Sequence, residues 1–404
     1  MDPLLNSNAS SALNSILKDV DTQRNPFSYR YAAKSMDSLS GISRTMQVVN
    51  AVNTVAHSSA VDFHIPKQGL LAGMHIMFKK TISNLSGGPI TLTSTGGGLD
   101  AIDRIQLISQ GRILADLTSE ALSALVAAQP YGSRKTLGKM INMDLSQAIA
   151  DGAAFEYVSR IPCLFSQTES LEKVYDTLFT APLVLRVHVG AQDAFSGNGL
   201  TFTNAPTVEV LCDFVREDSE MHQARLSKDY SSGSLQRIQW ATEHLAGAQA
   251  DLASGASRTF EIKTNNYISE VMVFLSPAAD KFNKVELTDF KLEANGQTIV
   301  DLPGNAELLK HYQPSDDWEY GAVASDETQA TPAKNNYRYN FGLSSDSRRV
   351  FGGVASRELS NFKVTVKNGS ANPVTAAQIH VVVKYYQIES IEAASGKITT
   401  SISS

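Results

Sequence analysis

The chain has 404 residues, of which 42% are hydrophobic and 19% are charged, and its formal net charge at pH 7 is −6. This composition supports two compact cores rather than global disorder, and it offers no overall basic surface for sequence-specific nucleic-acid binding. With only two cysteines, Cys163 and Cys212, a disulfide framework is excluded as the main source of stability.

Residues 1–42 are polar and rich in Ser and Asn, and they lack the basic and apolar regions of a secretory signal. No stretch approaches the roughly 20 apolar residues that span a bilayer, so we expect assembly in a reducing cytoplasm. Four residues share the i, i+3, i+4, i+7 spacing of one helix face, namely Leu13, Ile16, Leu17 and Val20. The segment is therefore expected to be an arm with a short amphipathic helix, which contacts the protein itself, a neighbouring chain, a membrane or another protein.

From residue 43 onward, short runs rich in Val, Ile, Phe, Tyr and Thr alternate with clusters of Gly, Asn, Ser and Pro. Several runs alternate apolar and polar residues with period two, which gives a strand one buried and one outer face. This pattern predicts an all-β protein built as a sandwich or barrel. The clearest predicted strands are 61–65, 104–108, 183–189, 208–215, 271–275, 362–366 and 379–386.

The chain also repeats itself weakly. RIQLISQGRILADL (104–117) matches DFKLEANGQTIVDL (289–302), so that Gly111 aligns with Gly296. In both copies a strand leads to the glycine, then to a second strand ending in Asp-Leu, then to a helical-looking stretch. A tight hairpin requires a positive φ at such a glycine, so both are predicted to be structural turn residues.

Three further matches occur in the same order along the chain: 60–78 with 257–275, 208–215 with 379–386, and 45–56 with 234–246. Four ordered matches indicate a duplication, and each copy has the length of an eight-stranded sandwich with long loops. The Gly-rich tract 94–100 is the predicted insertion that lengthens the first copy. The predicted boundaries are an arm at 1–42, a first sandwich at 43–218, a linker at 219–233, a second sandwich at 234–392 and a tail at 393–404.

No constellation of catalytic residues stands out. The eight histidines occur in neither the H-E-x-x-H nor the H-x-H spacing of metal sites, and no nucleophile elbow or phosphate-binding loop is present. The sequence therefore predicts no catalytic site, no cofactor and no metal. Four histidines fall in strand-like runs and are expected to be ordinary wall residues: His64, His75, His188 and His380.

Two regions carry a family resemblance. Residues 157–189 combine an Ile-Pro strand with a Pro-Leu-rich strand, and residues 337–366 combine an aromatic Phe-x-Leu strand, a Gly turn and an Arg-x-Leu-x-Asn stretch. Both resemble patterns of the double jelly-roll major capsid proteins of tailless icosahedral viruses, which include tectivirus, corticovirus and autolykivirus types. The matching positions are Phe341, Leu343, Gly352, Gly353, Arg357, Leu359 and Asn361.

This resemblance implies two eight-stranded jelly-roll β-sandwiches in tandem, with short helices in the loops. It further implies a homotrimeric, pseudo-hexagonal capsomer that tiles a virion shell assembled in the host cytoplasm. The implied partners are other copies of the chain, neighbouring capsomers, minor capsid or vertex proteins, and an internal membrane reached by the arm. The chain lacks the full Pro-Leu-Pro-Phe run of the large eukaryotic viruses, which favours a bacteriophage, and the polar segment 313–336 is expected to be an exposed loop.

Two other classes of function remain open at this point. A two-sandwich enzyme that acts on glycans or uses copper would need carboxylates or His and Met clusters that converge at the sandwich interface. A receptor-binding vertex or spike protein would also be rich in short β-strands. It would not need two equivalent domains with lattice-forming sides.

Overall fold

A computed structural model describes residues 42–85, 87–129, 131–143, 145–166, 175–191, 205–311, 335–342 and 352–402. The predicted helix face of the arm, Leu343 and nearly all of the segment 313–336 lie outside the described residues. The expectations for them therefore stay predictions.

The first domain consists of two four-stranded antiparallel sheets packed face to face. Its front sheet contains, in spatial order, β1 (Ile42–Asn50), β10 (Thr207–Glu217), β3 (Leu70–Ser83) and β8 (Ala154–Pro162). Its back sheet contains, in spatial order, β2 (Ala60–His64), β9 (Leu183–Val189), β5 (Ile102–Ser109) and β6 (Arg112–Thr118). A separate two-stranded sheet is formed by β4 (Ile90–Ser94) and β7 (Leu145–Ile149).

The second domain repeats this arrangement. Its front sheet contains, in spatial order, β11 (Ser234–Ala248), β19 (Ala377–Glu392), β13 (Tyr267–Pro277) and β16 (Tyr337–Asn340). Its back sheet contains β12 (Ser257–Glu261), β18 (Lys363–Asn368), β14 (Leu287–Ala294) and β15 (Gln297–Leu302). Two short strands extend the front sheet, β17 (Val354–Ala355) beside β13 and β20 (Ile398–Ile402) beside β19.

In each domain, eight strands therefore form the two main sheets in the same chain order, which is the connectivity of a jelly roll. The predicted fold, two jelly rolls in tandem, is confirmed. Three of the four matched pairs occupy equivalent places; for example, 104–117 is the hairpin β5–β6 and 289–302 is the hairpin β14–β15. The match of 45–56 with 234–246 is out of register, because the strand pairing makes 42–50 equivalent to 238–246. Both hairpins even carry a one-residue register shift at the same point of the repeat, after Leu107 and after Leu292.

In the described part of the chain, four α-helices lie between the strands. They are α1 (Ser119–Ala127), α2 (Tyr131–Ile141), α3 (Ser219–Asp229) and α4 (Leu308–His311). The chain passes directly from β6 into α1, since the Thr118 hydroxyl accepts a hydrogen bond from the backbone N–H of Ala121 at 3.2 Å and caps the helix. Among the described residues, no helix is long and apolar enough to cross a bilayer.

Two predicted irregular segments contain regular structure. The predicted linker contains α3, and the predicted tail contains β20, which pairs with β19 over five residues. Both elements are anchored by contacts with the first domain. Ile398 is 2% exposed and joins the first hydrophobic core, and the Gly396 carbonyl accepts a hydrogen bond from the Ala181 N–H at 2.9 Å.

Each domain encloses one hydrophobic core between its sheets. The alternation is regular in β9, where every second residue from Leu183 to Val189 is buried. The first core also includes residues that belong to the second domain, among them Trp240, Met272, Phe282 and Val382. The two domains are thus joined by a continuous apolar contact as well as by the chain.

Candidate assembly surfaces

The two domains of one chain meet at a buried surface, which we call the seam. Here the outer face of the second domain's front sheet packs against α1 and β6 of the first domain. Met272 and Val382 are 1% and 0% exposed on this face. The Thr242 hydroxyl donates to the Asp116 carbonyl at 3.3 Å, and Arg338 Nη1 donates to the Ala128 carbonyl at 3.1 Å.

Polar side chains of α1 face the connection between β13 and β14. Lys281 Nζ lies 3.1 Å from the Glu120 carboxylate and donates to the Ser119 hydroxyl at 2.8 Å. Lys284 Nζ donates to the Ser123 hydroxyl at 2.6 Å. These contacts fix α1 on the second domain in a single orientation, because each lysine meets a specific partner.

A histidine pair lies on the same buried face. His244 Nε2 and His380 Nδ1 are 3.0 Å apart, and the Ser276 hydroxyl lies 3.1 Å from His380 Nε2. The ring of Phe274 stacks on His380 with 4.6 Å between centroids. Burial, together with the neighbouring His244, lowers the pKa of His380 to about 4, and burial also lowers the pKa of His244. The structure therefore requires neutral imidazoles.

A second ionic cluster joins α3 to the first domain. Arg225 is 9% exposed and contacts the carboxylates of Asp176 and, at 2.9 Å, Glu217, while His222 Nε2 lies 2.8 Å from Asp176. Burial alone would raise the pKa of Asp176, but the Arg225 guanidinium outweighs burial and the net pKa is lowered.

Beside this cluster, the Tyr175 hydroxyl and Arg237 Nε both donate to the Glu389 carboxylate, each at 2.7 Å. Glu389 is fully buried. Tyr175 belongs to the first domain, whereas Arg237 and Glu389 lie on β11 and β19 of the second. Buried charges persist in folded proteins only when paired, so these contacts fix the relative position of the domains.

The equivalent face of the first domain carries no such cover from the residues that the structure describes. In the repeat, Leu211 corresponds to Val382, and the strand registers then make Val48 the counterpart of His244. On the first domain, however, Met46 and Val48 are 64% and 45% exposed. Leu211 and Met77 are half-buried on the same face. Among the described residues, nothing covers this apolar patch, which lies beside the ion pairs Arg44–Asp213 and Lys79–Glu209.

At the back-sheet edge, the first domain is the covered one. In the first domain, β6 and α1 are covered by the second domain. In the second domain, β15 and α4 are their counterparts, and Leu308 at the start of α4 is 41% exposed. In the described part of the chain, one surface of each kind is therefore uncovered: the apolar patch on the front sheet of the first domain and the β15–α4 edge of the second domain.

The two predicted turn glycines have the backbone that their role requires. Gly111 has φ of 76° and Gly296 has φ of 71°, and the residues before them, Gln110 and Asn295, also have positive φ of 48° and 55°. Two successive positive φ values match the type I′ hairpin turn.

The family-pattern residues at 337–366 are brought partly together. Phe341 donates its N–H to the Ser269 carbonyl at 2.9 Å and packs on Phe362 in the second core. Gly352, with φ of 115°, lies against Gly342. Arg357 and Asn361 are exposed and lie before β18, where Asn361 has φ of 51°. These described positions shape the fold and form no cleft.

The residues that hold the seam were missed by the sequence interpretation. His380 was expected to be an ordinary wall residue, and Arg225 was placed in a linker. Their partners are distant in sequence, so no local spacing marks them. Within the described part of the chain, no group of three or more His, Cys, Asp or Glu side chains is placed to hold a metal ion.

No protein-family model matches the chain, and no curated protein matches its sequence. Solved structures do match. The capsid of the virus PBCV-1 aligns with a TM-score of 0.65 at 12% identity, over 90% of this chain and 97% of the other. The Faustovirus major capsid protein aligns with 0.60 at 10% identity, over 93% and 98%. The mavirus major capsid protein aligns with 0.55 at 10% identity, over 93% and 94%. The chain thus shares the double jelly-roll fold with these proteins.

Proposed function

We propose that this chain is the major capsid protein of an icosahedral virus and assembles into homotrimers that form pseudo-hexagonal capsomers. The observation that carries this proposal is the fold match over both domains, at least 90% of this chain and 94% of each capsid protein compared. The two unpaired surfaces support it independently of those proteins. A two-sandwich enzyme would instead need a convergent catalytic cluster, and the described residues form none of the metal-binding kind.

The proposed trimer follows from the internal repeat. Within one chain, the β6–α1 edge of the first domain covers the front face of the second domain. If the same contact is made between chains, the β15–α4 edge of one copy covers Met46 and Val48 of the next. Such head-to-tail contacts close into a ring when the rotation allows it, and three copies give six similar domains around the ring.

The contact is tested by the double variant Met46→Lys, Val48→Lys. Both side chains are exposed in one chain, so the folded subunit should keep its stability within about 0.5 kcal/mol. In the trimer the two lysines would replace buried apolar side chains worth about 1.5–3 kcal/mol each. We expect the mass measured by light scattering to fall from that of a trimer to the 43.6 kDa of one chain.

Leu85→Lys is the matched control, because Leu85 is 65% exposed and Met46 is 64% exposed. It lies in the connection after β3, away from the apolar front face, and should leave the trimer intact. A trimeric double variant would contradict the proposed contact. A wild-type chain that stays monomeric would contradict the proposed capsid subunit as well.

We extend the proposal to a tailless, membrane-containing bacteriophage, in which the arm reaches the membrane and minor vertex proteins complete a shell assembled in the host cytoplasm. The support is the sequence pattern at 337–366 and the missing Pro-Leu-Pro-Phe run. Particles that contain this chain should be recoverable from a bacterial culture and should lose infectivity after lipid extraction. Recovery from eukaryotic cells alone would contradict the phage assignment.

A further inference from the structure

We propose that the His244–His380 pair, which joins β11 to β19 on the buried outer face of the second domain, is an acid-sensitive latch: the second domain's front sheet stays packed against α1 while the rings are neutral and separates from α1 when both rings are protonated. The latch itself does not rest on the proposed function, because both rings and α1 belong to one chain.

The hydrogen bond between the two rings depends on their protonation state. A contact of 3.0 Å between His244 Nε2 and His380 Nδ1 requires a hydrogen on one nitrogen and a lone pair on the other. When both rings are cationic, two N–H groups face each other and the bond is lost. His380 is 2% exposed and stacks on Phe274, so its cation cannot be solvated without opening the seam.

The charges around the pair make a second proton unfavourable. The first domain contributes Glu120 on α1, whose carboxylate lies 3.8 Å from His244 Nδ1. The connection after β13 contributes Lys281 and Lys284, which both disfavour a cation at His380. The Glu120 carboxylate favours a cation at both rings, but it also pairs with Lys281 at 3.1 Å, and burial outweighs its attraction.

The other elements at the pair offer no compensating charge. β13 contributes the uncharged side chains of Ser276 and Phe274. Asp103 lies 3.6 Å from Lys281 and is directed at that lysine. Burial and His244 together hold the pKa of His380 near 4, against about 6.5 for an exposed histidine. The neutral latch is therefore favoured above pH 6.5 and weakens progressively as the pH falls from 6.5 to 4.

Trp240 provides a direct readout. It lies on the same face of β11 as His244 and is 5% exposed within the first core. The chain has two tryptophans, so the background variant Trp318→Phe leaves Trp240 as the single fluorophore. The opening of the seam can then be measured as a red shift of emission at low urea concentration over pH 4–7.

In this background we expect the opening equilibrium constant to rise by about 80-fold between pH 6.5 and 4, which is the part of the full factor for a shift of about 2.5 pKa units that falls between these two pH values. His380→Phe keeps the stacked aromatic ring and leaves His244 as the one titrating ring of the pair, so its opening should depend on pH much less than that of the background protein. His64→Gln, at an exposed histidine on β2, should behave like the background protein.

Histidine ring NMR on the wild-type chain keeps the test decisive if His380→Phe does not fold. The His380 ring should titrate near pH 4 and His244 below its ordinary pKa, together with the shift in Trp240 emission. The latch is refuted if the emission is constant to pH 4, if His380→Phe retains the full pH response, or if the seam rings titrate near pH 6.5. If the chain is a capsid subunit, an active latch makes its shell loosen in acid.

Discussion

Removal of Arg225 is the perturbation whose cost can be worked out most directly from the structure. The Arg225 side chain is 9% exposed, and its partners Asp176 and Glu217 are 3% and 5% exposed. Arg225→Met keeps the aliphatic bulk but leaves two buried carboxylates without their cation. Breaking a buried ion pair in this way costs about 3–5 kcal/mol. We therefore expect the free energy of unfolding at pH 7 to fall by that amount.

The assay is urea unfolding of purified protein, followed by circular dichroism. Arg186→Met is the matched control, because Arg186 also pairs with a carboxylate, Asp62 at 2.7 Å, but the two side chains are 40% and 30% exposed. A pair in such contact with solvent contributes less than about 1 kcal/mol. The two variants remove the same group and differ mainly in the burial of the partner.

The pH dependence provides an independent check on the same reasoning. In the wild type the folded pKa of Asp176 is lowered, so its ion pair stabilises the fold above the ordinary Asp pKa and this contribution is lost as the pH falls. Without Arg225, burial raises that pKa and the carboxyl protonates in mild acid. The deficit of Arg225→Met should therefore shrink as the pH falls from 7 to 4. A deficit under 1 kcal/mol at pH 7, or one that grows in acid, would refute the argument.

Two further predictions concern the turns and the arm. Gly296→Val should cost about 1–2 kcal/mol through backbone strain alone, because no atom lies within 4 Å of its added Cβ, whereas Gly296→Asn should cost less. Gly97→Ala should cost more than either, because its Cβ would clash with the carbonyls of Ile141 and Asn142. Equal melting temperatures for the three variants would contradict this ranking. Deletion of residues 1–20 should leave the trimer intact while disturbing shell or membrane assembly, and loss of the trimer on light scattering would show that the arm clamps subunits together.

The fold was predictable because its signals are local or repeated. Period-two alternation marks individual strands, and the matched hairpins around Gly111 and Gly296 reveal two equivalent domains. The jelly-roll arrangement of the strands was implied by the resemblance at 157–189 and 337–366 and not by the duplication itself. Met46 and Val48 are exposed on the first domain, whereas the equivalent residues of the second domain are covered by β6 and α1.

The seam and its ionic clusters were not predictable, because they depend on how two finished domains pack. His244 and His380 are 136 residues apart, and Tyr175 and Glu389 are 214 residues apart. Each side chain alone has an ordinary sequence context. The helix α3 was missed for the same reason, as its polar sequence is held by Arg225 contacts with the first domain rather than by an apolar stripe.

The most direct test of the central claim is the mass of the purified wild-type chain in solution, measured by light scattering with electron micrographs of the same sample. The account predicts a particle of three times 43.6 kDa with a pseudo-hexagonal outline. A stable monomer, with no ring or hexagon in the images, would contradict the capsomer and return the choice to a two-sandwich enzyme or a receptor-binding protein.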